Sequence, residues 1–144
     1  MTNTDSMLIQ WQCQQLINRV TNLVDQRRWQ ELALCYTDDA ILFRPSDADN
    51  GVEGRAAILQ SFTQRPPKTT CHLIANTEFR LESERSVIAE SRVWLITGPA
   101  GETQPVTADK KIMVGSFIDS MVLVDNQWLI KKRKGSIELK LNCG

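Results

Sequence analysis

The sequence predicts an α+β fold, an antiparallel sheet with its helices gathered on one face, and three observations carry that expectation. Helical apolar spacing is confined to the first part of the chain. Period-two alternation dominates the remainder. The third observation is the stretch 110–140, in which two long β-branched runs flank Asp125, Asn126 and Gln127, residues suited to a tight turn. Each arm exceeds the usual strand of about five or six residues, so the hairpin should curl. Alternation sets Met113, Gly115, Phe117, Asp119, Met121 and Leu123 on one face, with Ile112, Val114, Ile118, Val122 and Val124 on the other. Both rows are largely apolar and both call for cover, by helices on one side and by a cavity or a partner on the other. Asp119 is the exception in its row, because a carboxylate between Phe117 and Met121 needs a partner or water.

The elements follow in order. Residues 2–6 are polar and expected to fray, with Thr4, Asp5 or Ser6 available as an N-cap. From Met7, the residues Ile9, Cys13, Leu16, Ile17, Val20, Leu23 and Val24 make one apolar helical stripe, with Trp11 at its rim. Asp25 interrupts the stripe, and a shorter one runs over 26–36 through Trp29, Leu32, Ala33 and Tyr36. A short strand over 40–44 stops at Pro45, and 46–54 reads as a solvated loop rich in Asp, Asn and Gly. A third helix covers 55–62 and cannot pass Pro66-Pro67. Strands are then expected over 69–80 and 87–97, ahead of the hairpin. In the first of these, Thr70, His72, Ile74 and Asn76 share a face.

Composition excludes several classes of function. The 144 residues suit one domain spanning 1–144, and 17 basic against 17 acidic side chains leave no global field to draw nucleic acid or an anionic membrane. The run Lys131-Lys132-Arg133-Lys134 lies within a strand and alternates between faces, so it is no phosphate track. Cys13, Cys35, Cys71 and Cys143 show no metal-ligand spacing, and a single histidine cannot build a multi-histidine metal site. Neither a metal nor a cofactor is expected. Free thiols point to a reducing cytoplasm. The N-terminus has no basic region followed by an apolar core, and no apolar run approaches membrane length.

Several motifs resemble a known family. Trp29-x-x-Leu32-x-x-x-Tyr36-Thr37-Asp38-Asp39-Ala40 followed by Gly51-x-x-Gly54-Arg55-x-x-Ile58 is similar to the opening of SnoaL-like and ketosteroid-isomerase-like (nuclear transport factor 2-like) domains. Thr70-x-His72-x-x-x-Asn76, Gly115-x-Phe117-x-Asp119 and Trp128-x-Ile130-x-x-Arg133 resemble the branch holding ring-hydroxylating dioxygenase small subunits, scytalone dehydratase and bile-acid dehydratases. The resemblance implies a cone: a strongly curved, mixed or antiparallel sheet wrapped around three N-terminal helices, a pocket at the open end, and a homodimer through the sheet. Where ketosteroid isomerases carry a general-base aspartate, this chain has Arg44, and their oxyanion-stabilising tyrosine falls near Val20. Those side chains cannot abstract a proton or donate to an enolate. The dehydratase histidine matches His72 and an aspartate near the end of the first helix matches Asp25. Their tyrosine again falls on Val20, and 92–96 shows no match to their third-strand partner.

The candidate catalytic residues are therefore His72, Asp25 and Asp119. His72 is either a hydrogen-bonded core histidine or a general base oriented by Asp25 or by Asp119. Asp25 has a second role open to it, capping the helix that follows, and Asp119 could instead form an internal ion pair with Arg133. Tyr36, Phe43, Asn76, Trp94, Phe117, Met121 and Arg133 are the candidate pocket lining, suited to a small apolar or aromatic molecule. Three functions fit: a dehydratase-like lyase or isomerase using acid–base chemistry, a non-catalytic binding domain, and a structural partner resembling a dioxygenase small subunit.

Overall fold

Thr2 starts the first helix rather than fraying. In the computed structural model, which describes residues 1–101 and 103–144, its hydroxyl accepts from the Asp5 backbone N–H. The Asp5 carboxylate accepts in return from the Thr2 N–H, which completes a capping box. Helix α1 (Asn3–Asp25) buries Cys13, Leu16, Ile17, Val20 and Leu23 along one stripe, while Trp11 stays exposed. Arg27 then turns to φ 56, a left-handed conformation that stops the helix, so α2 (Trp29–Ala33) is shorter than the stripe over 26–36 suggests.

Strand β1 begins early, at Tyr36, and runs to Arg44, because the Ile130 N–H donates to the Cys35 carbonyl and draws this segment alongside the last strand. The expected loop over 46–54 contains a strand, β2 (Asp47–Glu53), antiparallel to β1. Its Asp, Asn and Gly content is poor for a strand, yet an edge position leaves those side chains mostly in solvent and tolerates them. Helix α3 (Arg55–Thr63) follows, then β3 (Lys68–Ser83), β4 (Ser86–Pro99), β5 (Lys111–Val124) and β6 (Gln127–Asn142). Asp125 at φ 48 and Asn126 at φ 63 make the two-residue turn of the last hairpin, as left-handed-tolerant residues must.

The six strands are ordered β2-β1-β6-β5-β4-β3. Only β1 against β6 is parallel; every other neighbouring pair is antiparallel, so the sheet is mixed. Register shifts in β3 between Ala75 and Glu78, and against β6 at Val114/Gly115 and Ser120/Met121, place bulges that bend the long strands. Gly115 sits at one of them, where an added Cβ would lie 1.9 Å from the Ser136 carbonyl oxygen.

Packing differs along the strands. The α1 stripe meets Val87, Ala89, Met121, Trp128 and Ile130, which belong to the beginning of β4, the end of β5 and the beginning of β6. The Trp128 indole donates to the Gln12 side chain at 3.0 Å and ties that end of the sheet to α1. On the outer face, Leu73, Trp94, Val114 and Leu139 line up across β3, β4, β5 and β6. Leu73 is 56% exposed, Trp94 48% and Leu139 65%, so neither a helix nor a loop covers this row.

Candidate functional site

Asp25, the last residue of α1, reaches β3. Its Oδ1 accepts from the Thr70 hydroxyl at 2.8 Å and lies 2.6 Å from His72 Nδ1, while Oδ2 accepts the His72 backbone N–H at 2.8 Å. Strand alternation makes this possible, because Thr70 and His72 are two apart and share the inward face. Asp25 therefore does not cap α2, whose N-cap Arg28 makes no side-chain cap bond. With a carboxylate that only accepts, Nδ1 carries a proton, and in the neutral ring Nε2 is then the nitrogen with the free lone pair. His72 lines a cavity of about 350 Å³, within the range that holds small organic molecules.

The cavity lies toward the other end of the strands from the helix-packed core. His72, Leu95 and Met113 form one inner row across β3, β4 and β5, and all three line it. Trp29 and Phe62 stack on each other at 5.2 Å between ring centroids on the helical side. Gly135 lets the end of β1 lie over β6: a Cβ there would meet Pro45 Cγ at 2.5 Å, and Pro45 is part of the wall.

Of the expected lining, Tyr36, Phe117 and Arg133 reach the cavity. Four others lie elsewhere. Phe43 alternates with Leu42 and Arg44, which do line the cavity, so its ring faces away, toward Gly51 and the Lys132 ammonium. Trp94 points outward for the same reason, next to the lining residue Leu95. Met121 is fully buried in the core at the packed end of β5. Asn76 is exposed at the β3 bulge with φ 55.

Asp119 is not the partner of His72. It faces Arg133 across the β5–β6 ladder and takes its guanidinium in two bonds, 2.6 Å from Nε and 3.0 Å from Nη2. Asp119 is 0% and Arg133 4% exposed. Burial is the largest influence on the Arg133 pKa and pulls it down, but the Asp119 charge and its hydrogen bonds together hold the guanidinium above its usual value. The Arg133 guanidinium also lies over the Phe117 ring at 4.1 Å, which supports that part of the wall. Burial pushes the Tyr36 phenol up to about 12, so it enters the cavity as a hydrogen-bond donor.

Sequence reasoning named none of the cavity's other cations, Arg27, Arg44, Arg65 and Lys68, as lining, although the resemblance had set Arg44 at the isomerases' general-base position. They come from the α1–α2 connection, the end of β1, the segment after α3 and the start of β3, and no local spacing links them. A further signal was a pair of Arg-Pro steps, Arg44-Pro45 and Arg65-Pro66, since a proline holds the residue before it extended and neither β1 nor α3 continues past its proline.

The model of the SnoaL-like domain matches residues 5–134. The chain belongs to that family. Among solved structures, this SnoaL-like chain is similar to a Novosphingobium aromaticivorans protein provisionally named as a scytalone dehydratase, at 19% identity and TM-score 0.81, covering 98% of this chain and 91% of that one. It is similar to a type 2 hexachlorocyclohexane dehydrochlorinase, LinA, at 16% identity and TM-score 0.82, covering 99% and 94%. A Catenulispora acidiphila protein in complex with S-DNPA aligns at 18% identity and TM-score 0.72, over 91% and 94%. At these identities the likeness establishes the fold. No curated protein matches the sequence. No helix among the described residues is long and apolar enough to cross a membrane.

Proposed function

We propose that this SnoaL-like protein is a dehydratase-like lyase or isomerase that acts on a small oxygenated ring compound, with His72 as general base and Asp25 orienting it. The observation that carries this reading is the 2.6 Å contact between Asp25 and His72 Nδ1 beside an apolar cavity, which leaves Nε2 able to take a proton. In the elimination, Nε2 removes a proton from the carbon next to the one bearing a hydroxyl. The electron pair of the broken C–H bond becomes the new double bond. The imidazolium returns its proton to the departing hydroxyl, which leaves as water. Asp25 stabilises the transient imidazolium, and the Tyr36 phenol donates to an oxygen of the ring. Two structural neighbours named for eliminations, a dehydration and a dehydrochlorination, support this choice of reaction class.

The test is turnover of a panel of cyclic β-hydroxy ketones in deuterated water, followed by product formation and by deuterium exchange at the carbon acid. His72→Gln should lower either rate by about 10²–10⁴, the usual contribution of a positioned base. Binding with neither exchange nor turnover across the panel would leave a binding domain. The same reading takes the chain as a homodimer through the uncovered row of Leu73, Trp94, Val114 and Leu139, since a contiguous apolar patch marks an interface. Its four unpaired cysteines suit a reducing cytoplasm.

A further inference from the structure

Five cationic side chains, Arg27, Arg44, Arg65, Lys68 and Arg133, line the cavity, and not one aspartate or glutamate is among its lining residues. The protein as a whole is neutral, so this is a local concentration of positive charge. Three of the five are answered. Arg133 has Asp119, and Lys68 has Asp109 at 3.1 Å. Arg27 donates to the Arg65 carbonyl at 2.9 Å and to the Pro66 carbonyl at 3.4 Å. Arg44 and Arg65 have no carboxylate partner among the described residues, and the Nε of each is buried without an acceptor. A buried guanidinium nitrogen with nothing to accept from it is costly, and a protein retains one where a ligand supplies the acceptor.

Building on the reading of this cavity as the substrate site, we infer that its ligand carries a carboxylate on an apolar ring, and that Arg44 and Arg65 hold that carboxylate. The two arginines come from separate elements, the last residue of β1 and the segment just after α3, and both line the cavity. The Phe62 ring lies 4.2 Å from the Arg65 guanidinium and holds its plane, which suits a planar two-oxygen acceptor. Burial first, and the Arg44 charge second, lower the Arg65 pKa to about 10, so a bound anion would relieve a repulsion the two arginines already feel. The aromatic and aliphatic walls ask for an apolar body behind the charge. A bare inorganic anion would leave them unfilled.

Calorimetric titration of the whole protein with 2-naphthoate and with 2-naphthamide, the same ring without the charge, tests the inference. Naphthoate should bind roughly tenfold or more tightly, as charge-assisted hydrogen bonds imply. Arg44→Met and Arg65→Met should each bring the naphthoate affinity down toward that of naphthamide and so remove the preference. Arg44→Lys, which keeps the charge, should retain part of it. The melting temperature of Arg65→Met should stay level or rise, because the substitution removes a buried donor left without an acceptor, whereas loss of a merely structural arginine would lower it. Equal affinities, no saturable binding of either compound, or a preference that survives both Met variants would overturn the inference. His72→Gln separates it from the elimination reading: that variant should keep the naphthoate preference while losing turnover. An intact preference in a wild-type protein that turns nothing over refutes the elimination alone.

Discussion

Asp119→Ala removes one half of a buried, two-bond ion pair and leaves the Arg133 guanidinium, 4% exposed, without a counter-charge. Water cannot easily replace the lost acceptors, because both side chains are almost fully buried. Breaking such a pair costs about 3–5 kcal/mol. Unfolding entropy near the midpoint is about 2.1 cal/mol/K per residue, or about 0.3 kcal/mol/K for 144 residues. The melting temperature should therefore fall by about 10–16 °C. Urea and thermal unfolding followed by circular dichroism would measure it. The double variant Asp119→Leu with Arg133→Met fills the same space without charge and should recover most of the loss, since apolar replacement of a buried pair is often neutral or better. A single-variant loss below about 1 kcal/mol would show a hydrated pair and refute the reasoning. So would a double variant as unstable as the sum of its singles.

Other consequences can be checked as directly. Under native conditions, two thiols, Cys71 and Cys143, should react quickly with an aromatic disulfide reagent, and the buried Cys13 and Cys35 only after denaturation. Burial pushes Cys13 up to about 12, so raising the pH to 9 should not expose it. Gly115→Ala should cost about 1–3 kcal/mol in urea titration, because its new methyl meets the backbone oxygen of Ser136 rather than a side chain able to move. Trp94→Lys with Leu139→Lys should convert a dimer to a monomer by light scattering, with the far-ultraviolet spectrum unchanged. A wild-type monomer at tens of micromolar would remove the proposed interface.

Much of the architecture was legible because periodicity reports which side of an element is buried. The α1 stripe from Cys13 to Leu23 and the alternating row of Thr70 and His72 needed no tertiary knowledge. β2 was hidden because Asp47, Asp49 and Asn50 are turn formers that only an edge position beside β1 makes tolerable. Within the site, the choice between Asp25 and Asp119 as the partner of His72 depended on where α1 ends relative to β3, a distance no local pattern encodes. Phe43 and Trp94 were expected in the lining for being large and aromatic, although each lies one residue from a residue that does line the cavity. Alternation was the better guide there. Met121 shares its strand face with Phe117 but lies farther toward the packed end, and alternation says nothing of depth along a strand.

Along the last strands, core and cavity wall sit toward opposite ends, although Tyr36, Leu42 and Phe62 belong to both. Met121, Trp128 and Ile130 anchor the α1 stripe at one end, while Leu95, Met113 and Ile137 finish the same strands as cavity wall at the other. Amide exchange should accordingly be two-tiered, slow where α1 packs and faster around the cavity rim. A library that randomises Arg44, Ser46, Arg65 and Lys68 should change the proposed ligand preference while sparing the α1 stripe. For protein engineering, the molecule is a scaffold whose recognition surface can evolve on its own clock.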